Sequence, residues 1–311
     1  MWEIVKNVLL LALGFVMLAK GADWFVDGAS GVATKLKIPQ IVIGLTIVAM
    51  GTSAPEAAVS ISSALKGNVD VAIGNVVGSN ILNILIILGI SSIITALAVG
   101  NSTIKIDIPV MLGASALLFL LGLDGTISLV DGLLFLVCFV AYLAYLFIIE
   151  RKKNHEEIKV DKPSPLWKSL IFMVIGLVII ILGSNFSVDS ATFLARKIGV
   201  SEKFIGLTVI AFGTSLPELF TSVSAAIKKN ADIAIGNIVG SNIFNILFVL
   251  GLTSIIKPVP FVASFRVDTL VSILAGIILW LSCIFSNKVT RLVGVLMLLC
   301  YAGYFTYLIL A

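Results

Sequence analysis

Two glutamates, Glu56 and Glu218, sit in stretches that are otherwise almost wholly apolar, and both end the same local frame: GTSAPE from Gly51 and GTSLPE from Gly213. Proline lacks the amide that would bond the carbonyl four residues earlier, so Pro55 releases the carbonyl of Gly51 and Pro217 that of Gly213. Glu56 follows Thr52, and Glu218 follows Thr214, by one helical turn, which puts hydroxyl and carboxylate on one face. Carboxylate, carbonyl and hydroxyl oxygens suit hard cations such as Ca²⁺ and Na⁺ rather than soft metals. The plainer alternative is a proline kink beside a protonated glutamate buried for packing. Its repetition argues against that, because a carboxylate in an apolar interior is costly and usually functional.

A second polar pattern follows each glutamate, GNVVGSNILN from Gly74 and GNIVGSNIFN from Gly236. Asn75, Ser79 and Asn83 recur at i, i+4 on one helix face, as do Asn237, Ser241 and Asn245. Gly74 with Gly78, and Gly236 with Gly240, make small-residue faces on which helices approach closely. Ser79, Asn83, Ser241 and Asn245 read as lining a site, whereas Asn75, Asn80, Asn237 and Asn242 also suit hydrogen bonds between helices.

Both patterns belong to one duplication: residues 43–94 and 205–256 align without a gap and are identical at about 33 of 52 positions. With 59% hydrophobic and 12% charged residues, the 311-residue chain is a polytopic membrane protein rather than a soluble domain. About ten apolar stretches each reach the length needed to cross a bilayer as a helix. Residues 150–165, ERKKNHEEIKVDKPSP, are the one clear break, so the expected organisation is a five-span half over 1–149, a linker, and a second half over 166–311. Five is odd, so the two copies must be inverted relative to each other. The fold expected is therefore an all-α membrane protein with two inverted five-helix repeats.

Placing the linker in the cytoplasm puts 13 Lys and Arg inside against 7 outside, with both termini outside, in a cell (plasma or inner) membrane. Gly14, Gly21 and Asp27 recur as Gly176, Gly183 and Asp189, which marks the first segment as structure rather than a signal peptide. A net charge of +4 spread between the spans gives no case for nucleic acid, and no partner beyond lipid and no obligate protein partner is evident. Cys138, Cys283 and Cys300 lie in apolar stretches and read as packing residues. Lys20, Asp23, Asp27 and Asp189 lie near span ends, where snorkelling or ion pairing accounts for them. His155, the sole histidine, lies in the linker, so neither a Ser-His-Asp triad nor a histidine-ligated metal centre can be assembled. An enzyme is not expected.

GTSAPE and GTSLPE, followed by GSNILN and GSNIFN, resemble the paired alpha repeats of the cation/calcium exchanger superfamily, and most closely its prokaryotic sodium/calcium exchangers. The resemblance covers nearly the whole chain. It implies ten spans and a central cluster of cation sites built by the second, third, seventh and eighth. It further implies that Glu56 and Glu218, with the carbonyls of Thr52 and Thr214, hold Ca²⁺. Na⁺ would use Ala49, Ser53 and Ser79 in one half and Ala211, Ser215 and Ser241 in the other, with Asn83 and Asn245 completing the centre. Some family members, the K⁺-dependent ones included, carry aspartate where this chain has Asn245, which puts K⁺ co-transport in doubt.

The activity this implies is antiport of Ca²⁺ against Na⁺ by alternating access, with Ca²⁺ and Na⁺ as transported ions and no cofactor. A Ca²⁺/H⁺ exchanger and a cation channel are the rivals. Because Ca²⁺ needs six to eight oxygens and compensating charge, Glu56→Gln or Glu218→Gln should each abolish Ca²⁺ uptake into Na⁺-loaded proteoliposomes. Wild-type uptake in both variants would remove these residues from the site.

Overall fold

The computed structural model describes residues 2–152, 165–199 and 211–310. Helix α1 (Trp2–Leu36) is followed by a broken span, α2 (Gln40–Thr52) and α3 (Ala54–Leu65), then by α4 (Val69–Ile94), α5 (Thr103–Asp124) and α6 (Leu129–Lys152). The second half repeats the order: α7 (Leu166–Lys197), α8 (Ala211–Thr214), α9 (Leu216–Ile227), α10 (Ala231–Ile256), α11 (Ala263–Ser286) and α12 (Arg291–Leu310). Eight of these helices are long and apolar enough to cross a bilayer, and α2 with α3 makes a ninth span bent by 47°. Helices α8 and α9 are the described part of the expected seventh span, whose first residues, 202–210, lie outside the described residues. So do His155 and most of the expected linker, although α6 continues through Lys152 and takes the linker's first residues into the fifth span. The protein is an all-helical membrane protein with two inverted five-helix repeats, trimmed among the described residues by four two-residue strands.

The repeats interlock rather than stand side by side. Helices α1 and α7 run together, with the duplicated glycines at their crossing: a Cβ on Gly14 would lie 2.8 Å from the Gly183 carbonyl, and one on Gly21 2.9 Å from that of Gly176. Helix α4 crosses α12 at Gly89 and Gly294, and α10 crosses α6 at Gly251 and Gly132. With no aqueous hydrophobic effect to drive helices together in lipid, such close backbone approach supplies the packing. Strands follow the same rule. Strand β1 (Leu97–Ala98) pairs with β4 (Lys288–Val289), and β2 (Thr126–Ile127) with β3 (Val259–Pro260), so each ladder joins one repeat to the other. Gly125 (φ +98°) and Asn287 (φ +52°) occupy equivalent places after the fourth and ninth spans, where a left-handed residue turns the chain into these strands.

Within each half the outer helices are tied by a tyrosine–aspartate pair, buried in the first half and half-buried in the second. The Tyr142 hydroxyl donates to Asp107 at 2.9 Å, and the Tyr304 hydroxyl to Asp268 at 2.8 Å. Asp23 and Asp27 on α1 meet Lys228 just beyond α9, with Lys228 Nζ 2.6 Å from Asp27 Oδ1, the ion pairing expected of residues near span ends. The most enclosed helix is α10, at the centre of the bundle, flanked by α2, α9 and the inner end of α4.

Gly132→Ala and Gly294→Ala place a methyl 2.7 Å and 2.6 Å from the facing carbonyls of Gly251 and Gly89. Each should destabilise the detergent-solubilised protein by about 1–3 kcal/mol, read as a lower thermal transition. Gly113→Ala, where no atom lies within 4 Å of the added methyl, serves as the control and should leave the transition unchanged or slightly raised.

Candidate functional site

The break in the second span falls at Ser53, two residues beyond Gly51. Ser53 has φ −81° and ψ 7°, Ser215 has φ −88° and ψ 3°, and a new helix begins at the next residue in both places. Pro55 and Pro217 therefore stand in the first turn of α3 and α9, a position for which the fixed φ of proline is already suited. Gly213's carbonyl, expected to be released from the helix, accepts a 2.8 Å hydrogen bond from Ser184 of α7. The physical reason is proximity: α7 packs against the break and brings a hydroxyl to that carbonyl.

Beyond each break the glutamate is buried, with Glu56 and Glu218 both 1% exposed, and each is met by a serine from the opposite repeat. Ser53 Oγ donates to Glu218 Oε1 at 2.7 Å, and Ser215 Oγ donates to Glu56 Oε1 at 3.2 Å. Ser215 also lies 3.3 Å from Ser79 Oγ, and Ser241 Oγ lies 3.5 Å from the Ala49 carbonyl. That carbonyl is shared with the Ser53 amide at 3.0 Å. Ala211 opens α8, one turn before Ser215.

The expected site residues thus come together on α2, α3, α4, α8, α9 and α10. Thr52 and Thr214 face the opposite repeat's asparagines: Thr52 Oγ1 donates to Asn237 Oδ1 at 2.9 Å and Thr214 Oγ1 to Asn75 Oδ1 at 3.4 Å. Asn75 in turn donates to the Glu56 carbonyl (3.2 Å) and Ser60 Oγ (3.0 Å), and Asn237 to the Glu218 carbonyl (3.4 Å) and Ser222 Oγ (2.9 Å). Asn75 and Asn237 are wiring between helices, the role left open by their spacing. Ser60 and Ser222 were not singled out in the sequence, although the duplication that matches them carried the signal.

What remains unbonded is selective. Among the described residues, the buried carboxylate and amide oxygens with no hydrogen-bond partner are Glu56 Oε2, Glu218 Oε2, Asn83 Oδ1 and Asn245 Oδ1, one repeat-related pair of each kind. A buried unsatisfied acceptor costs about 1–3 kcal/mol, so native structures rarely keep one without a function. Acceptors of this kind are satisfied by a donor or a cation, and the two carboxylates among the four suit the cation. Asn83 and Asn245 each open a π-helical turn, Asn83–Leu88 and Asn245–Leu250, a local widening frequent at functional sites. Nothing in the sequence announced these turns.

Inverted repeats around broken spans, with a shared oxygen-lined centre buried in the bundle, define a secondary transporter of cations. The sodium/calcium exchanger family model matches twice, over residues 6–148 and 168–310, and the chain belongs to that family. It is similar to CaxA of Alkalimonas amylolytica, 38% identical over 97% of this chain and 98% of the relative. It is also similar to the sodium/calcium exchanger MaX1 of Methanosarcina acetivorans, at 32% over 97% and 98%. A structure of the sodium-calcium exchanger NCX_Mj soaked with Na⁺ and Sr²⁺ matches with a TM-score of 0.88 at 34% identity, covering 97% of this chain and 98% of that one.

Ser53→Ala removes the hydroxyl that donates to Glu218 Oε1 and leaves a third buried carboxylate oxygen without that partner. The Ca²⁺ concentration giving half-maximal uptake should rise by roughly tenfold, the equivalent of one lost charge-assisted hydrogen bond. Ser53→Thr, which keeps the hydroxyl, should restore most of it.

Proposed function

We propose that the chain is a secondary active antiporter that exchanges Ca²⁺ for Na⁺ by alternating access. The observation that carries this reading is the set of unpaired oxygens on Glu56, Glu218, Asn83 and Asn245. Glu56 and Glu218, with the carbonyls of Thr52 and Thr214, hold Ca²⁺. Na⁺ uses the oxygens of Ala49, Ser53 and Ser79 and of Ala211, Ser215 and Ser241, with Asn83 and Asn245 completing the centre. Because the two ions draw on the same glutamates, occupancy by one displaces the other, and exchange is obligatory. The symmetric wiring of the site to both repeats supports a centre reachable from either side.

The halves act as units of 1–149 and 166–311, joined by a cytoplasmic linker over 150–165, with both termini outside a cell membrane. The excess of Lys and Arg on the linker side supports this orientation. Asn83 and Asn245 are neutral, so transport does not depend on K⁺. A Ca²⁺/H⁺ exchanger remains the second reading, since glutamates could carry protons in place of Na⁺; it requires Na⁺-independent, pH-driven Ca²⁺ flux.

Two ionised glutamates balance one Ca²⁺, whereas three Na⁺, the number suggested by the family resemblance, leave one positive charge to move. In Na⁺-loaded proteoliposomes taking up Ca²⁺, one positive charge then leaves per cycle, so an interior-positive potential should speed uptake. That charge is worth about 2.3 kcal/mol per 100 mV, enough to shift the limiting Ca²⁺ ratio more than tenfold. Uptake should also persist when choline replaces K⁺ on both sides. Uptake that needs no Na⁺ gradient would overturn the antiport reading, and indifference to an imposed potential would overturn the three-to-one exchange.

A further inference from the structure

Each of the unpaired amide oxygens in the ion centre has a nitrogen on the same carbon, and an amide reversed by half a turn would present that nitrogen, which repels a cation. Something must fix the choice. The contacts around Asn80 and Asn242 do so, starting from an atom whose chemistry is unambiguous.

The backbone carbonyl of Asn80 can only accept, and Asn242 lies against it, so the Asn242 side chain must turn its Nδ2 that way, at 3.3 Å. Its Oδ1 then faces Asn83, which must answer with Nδ2, at 2.9 Å. That leaves Asn83 Oδ1 for the centre, and this is one of the buried oxygens without a partner. The mirror path is complete as well. The Asn242 carbonyl accepts from Asn80 Nδ2 at 3.2 Å, Asn80 Oδ1 accepts from Asn245 Nδ2 at 3.1 Å, and Asn245 Oδ1 is left unpaired. Asparagine has two donors and an acceptor in a fixed plane, so each step dictates the next. All four side chains are buried, at 1% exposure or less.

We propose that Asn80 and Asn242 are positioning residues that set the orientation of the Asn245 and Asn83 amides and so deliver oxygen, rather than nitrogen, to the transported cation. The inference rests on the reading of Asn83 and Asn245 as ion ligands. The control is crosswise: Asn80 of the first repeat governs Asn245 of the second, and Asn242 governs Asn83. A serine or leucine at either position would leave the corresponding amide free to turn. Aspartate would meet the facing carbonyl with a second acceptor.

The test is a pair of double-mutant cycles on Na⁺-driven Ca²⁺ uptake, reading the Ca²⁺ concentration for half-maximal rate, with monodispersity in detergent as the check on folding. Asn80→Leu removes the acceptor seen by Asn245 but keeps the Asn80 backbone carbonyl, so the path through Asn242 to Asn83 survives. Alone it should raise the half-maximal concentration about tenfold. In that background Asn245→Ala should add less than about threefold, because the oxygen it deletes is no longer presented, while Asn83→Ala should keep its full effect of about tenfold. Equal, additive effects of Asn83→Ala and Asn245→Ala in the Asn80→Leu background, or an Asn80→Leu protein with wild-type affinity, would overturn the relay. Asn83→Ala and Asn245→Ala both being silent in the wild-type chain would instead overturn their assignment as ligands. Should Asn80→Leu not yield monodisperse protein, Asn242→Leu poses the same question with the roles of Asn83 and Asn245 exchanged, and the alanine variants at 80 and 242 stand behind both.

Discussion

Two carboxylates sealed into an apolar helical bundle repel each other, and each costs several kcal/mol to remove from water. Only a positive charge shared between them makes that arrangement worth keeping. The site answers with a division of labour: one oxygen of each glutamate is satisfied by a serine of the opposite repeat, and the other is left open. The serine holds one carboxylate oxygen, and the other is buried without a hydrogen bond. Fixing the ligand without satisfying it is a stability cost concentrated at one place, and the surrounding fold is organised to hold it.

That organisation is cross-repeat at every level. The hydroxyl that meets Glu218 comes from the first half, and the one that meets Glu56 comes from the second. Amides of the third span turn on those of the eighth. Helices approach across the same divide at glycines, and the short strands pair across it. Against this shared frame, helices α1 and α7 pack chiefly on each other.

Much of this was legible in the chain because duplication filters residues by role. An apolar span tolerates almost any aliphatic residue, so leucines, valines and isoleucines drift between copies, while Thr52, Glu56, Ser79 and Asn83 reappear unchanged as Thr214, Glu218, Ser241 and Asn245. The span boundaries followed from hydropathy for the same reason that lipid demands helices. What stayed hidden was direction. Nothing in GSNILN says that both amide groups of Asn80 find partners in the other repeat while Asn83, three residues on, keeps its oxygen unpaired; both are polar residues on a helix, and the π-helical turn begins only at Asn83. Nor could a proline motif reveal that Ser184, on a helix distant in sequence, would take the carbonyl it releases at Gly213, a contact with no counterpart in the other half because Ala22 stands where Ser184 does. Tertiary neighbours decided these points, and a one-dimensional pattern records no neighbours.

The interlocking glycine crossings set a condition on how the chain is made. Helix α4 finishes its packing against α12, which follows it far along the chain, and strand β1 waits for β4 in the same way. When the first five spans have entered the bilayer, the backbone around Gly89 still lacks the helix that will cover it, and the polar faces of Asn80 and Asn83 have no opposite asparagines. The early half must therefore dwell in the membrane with an open seam until α12 has been made. A product cut short before α12 would leave that seam to lipid, so a helix far along the chain completes the packing of the first half.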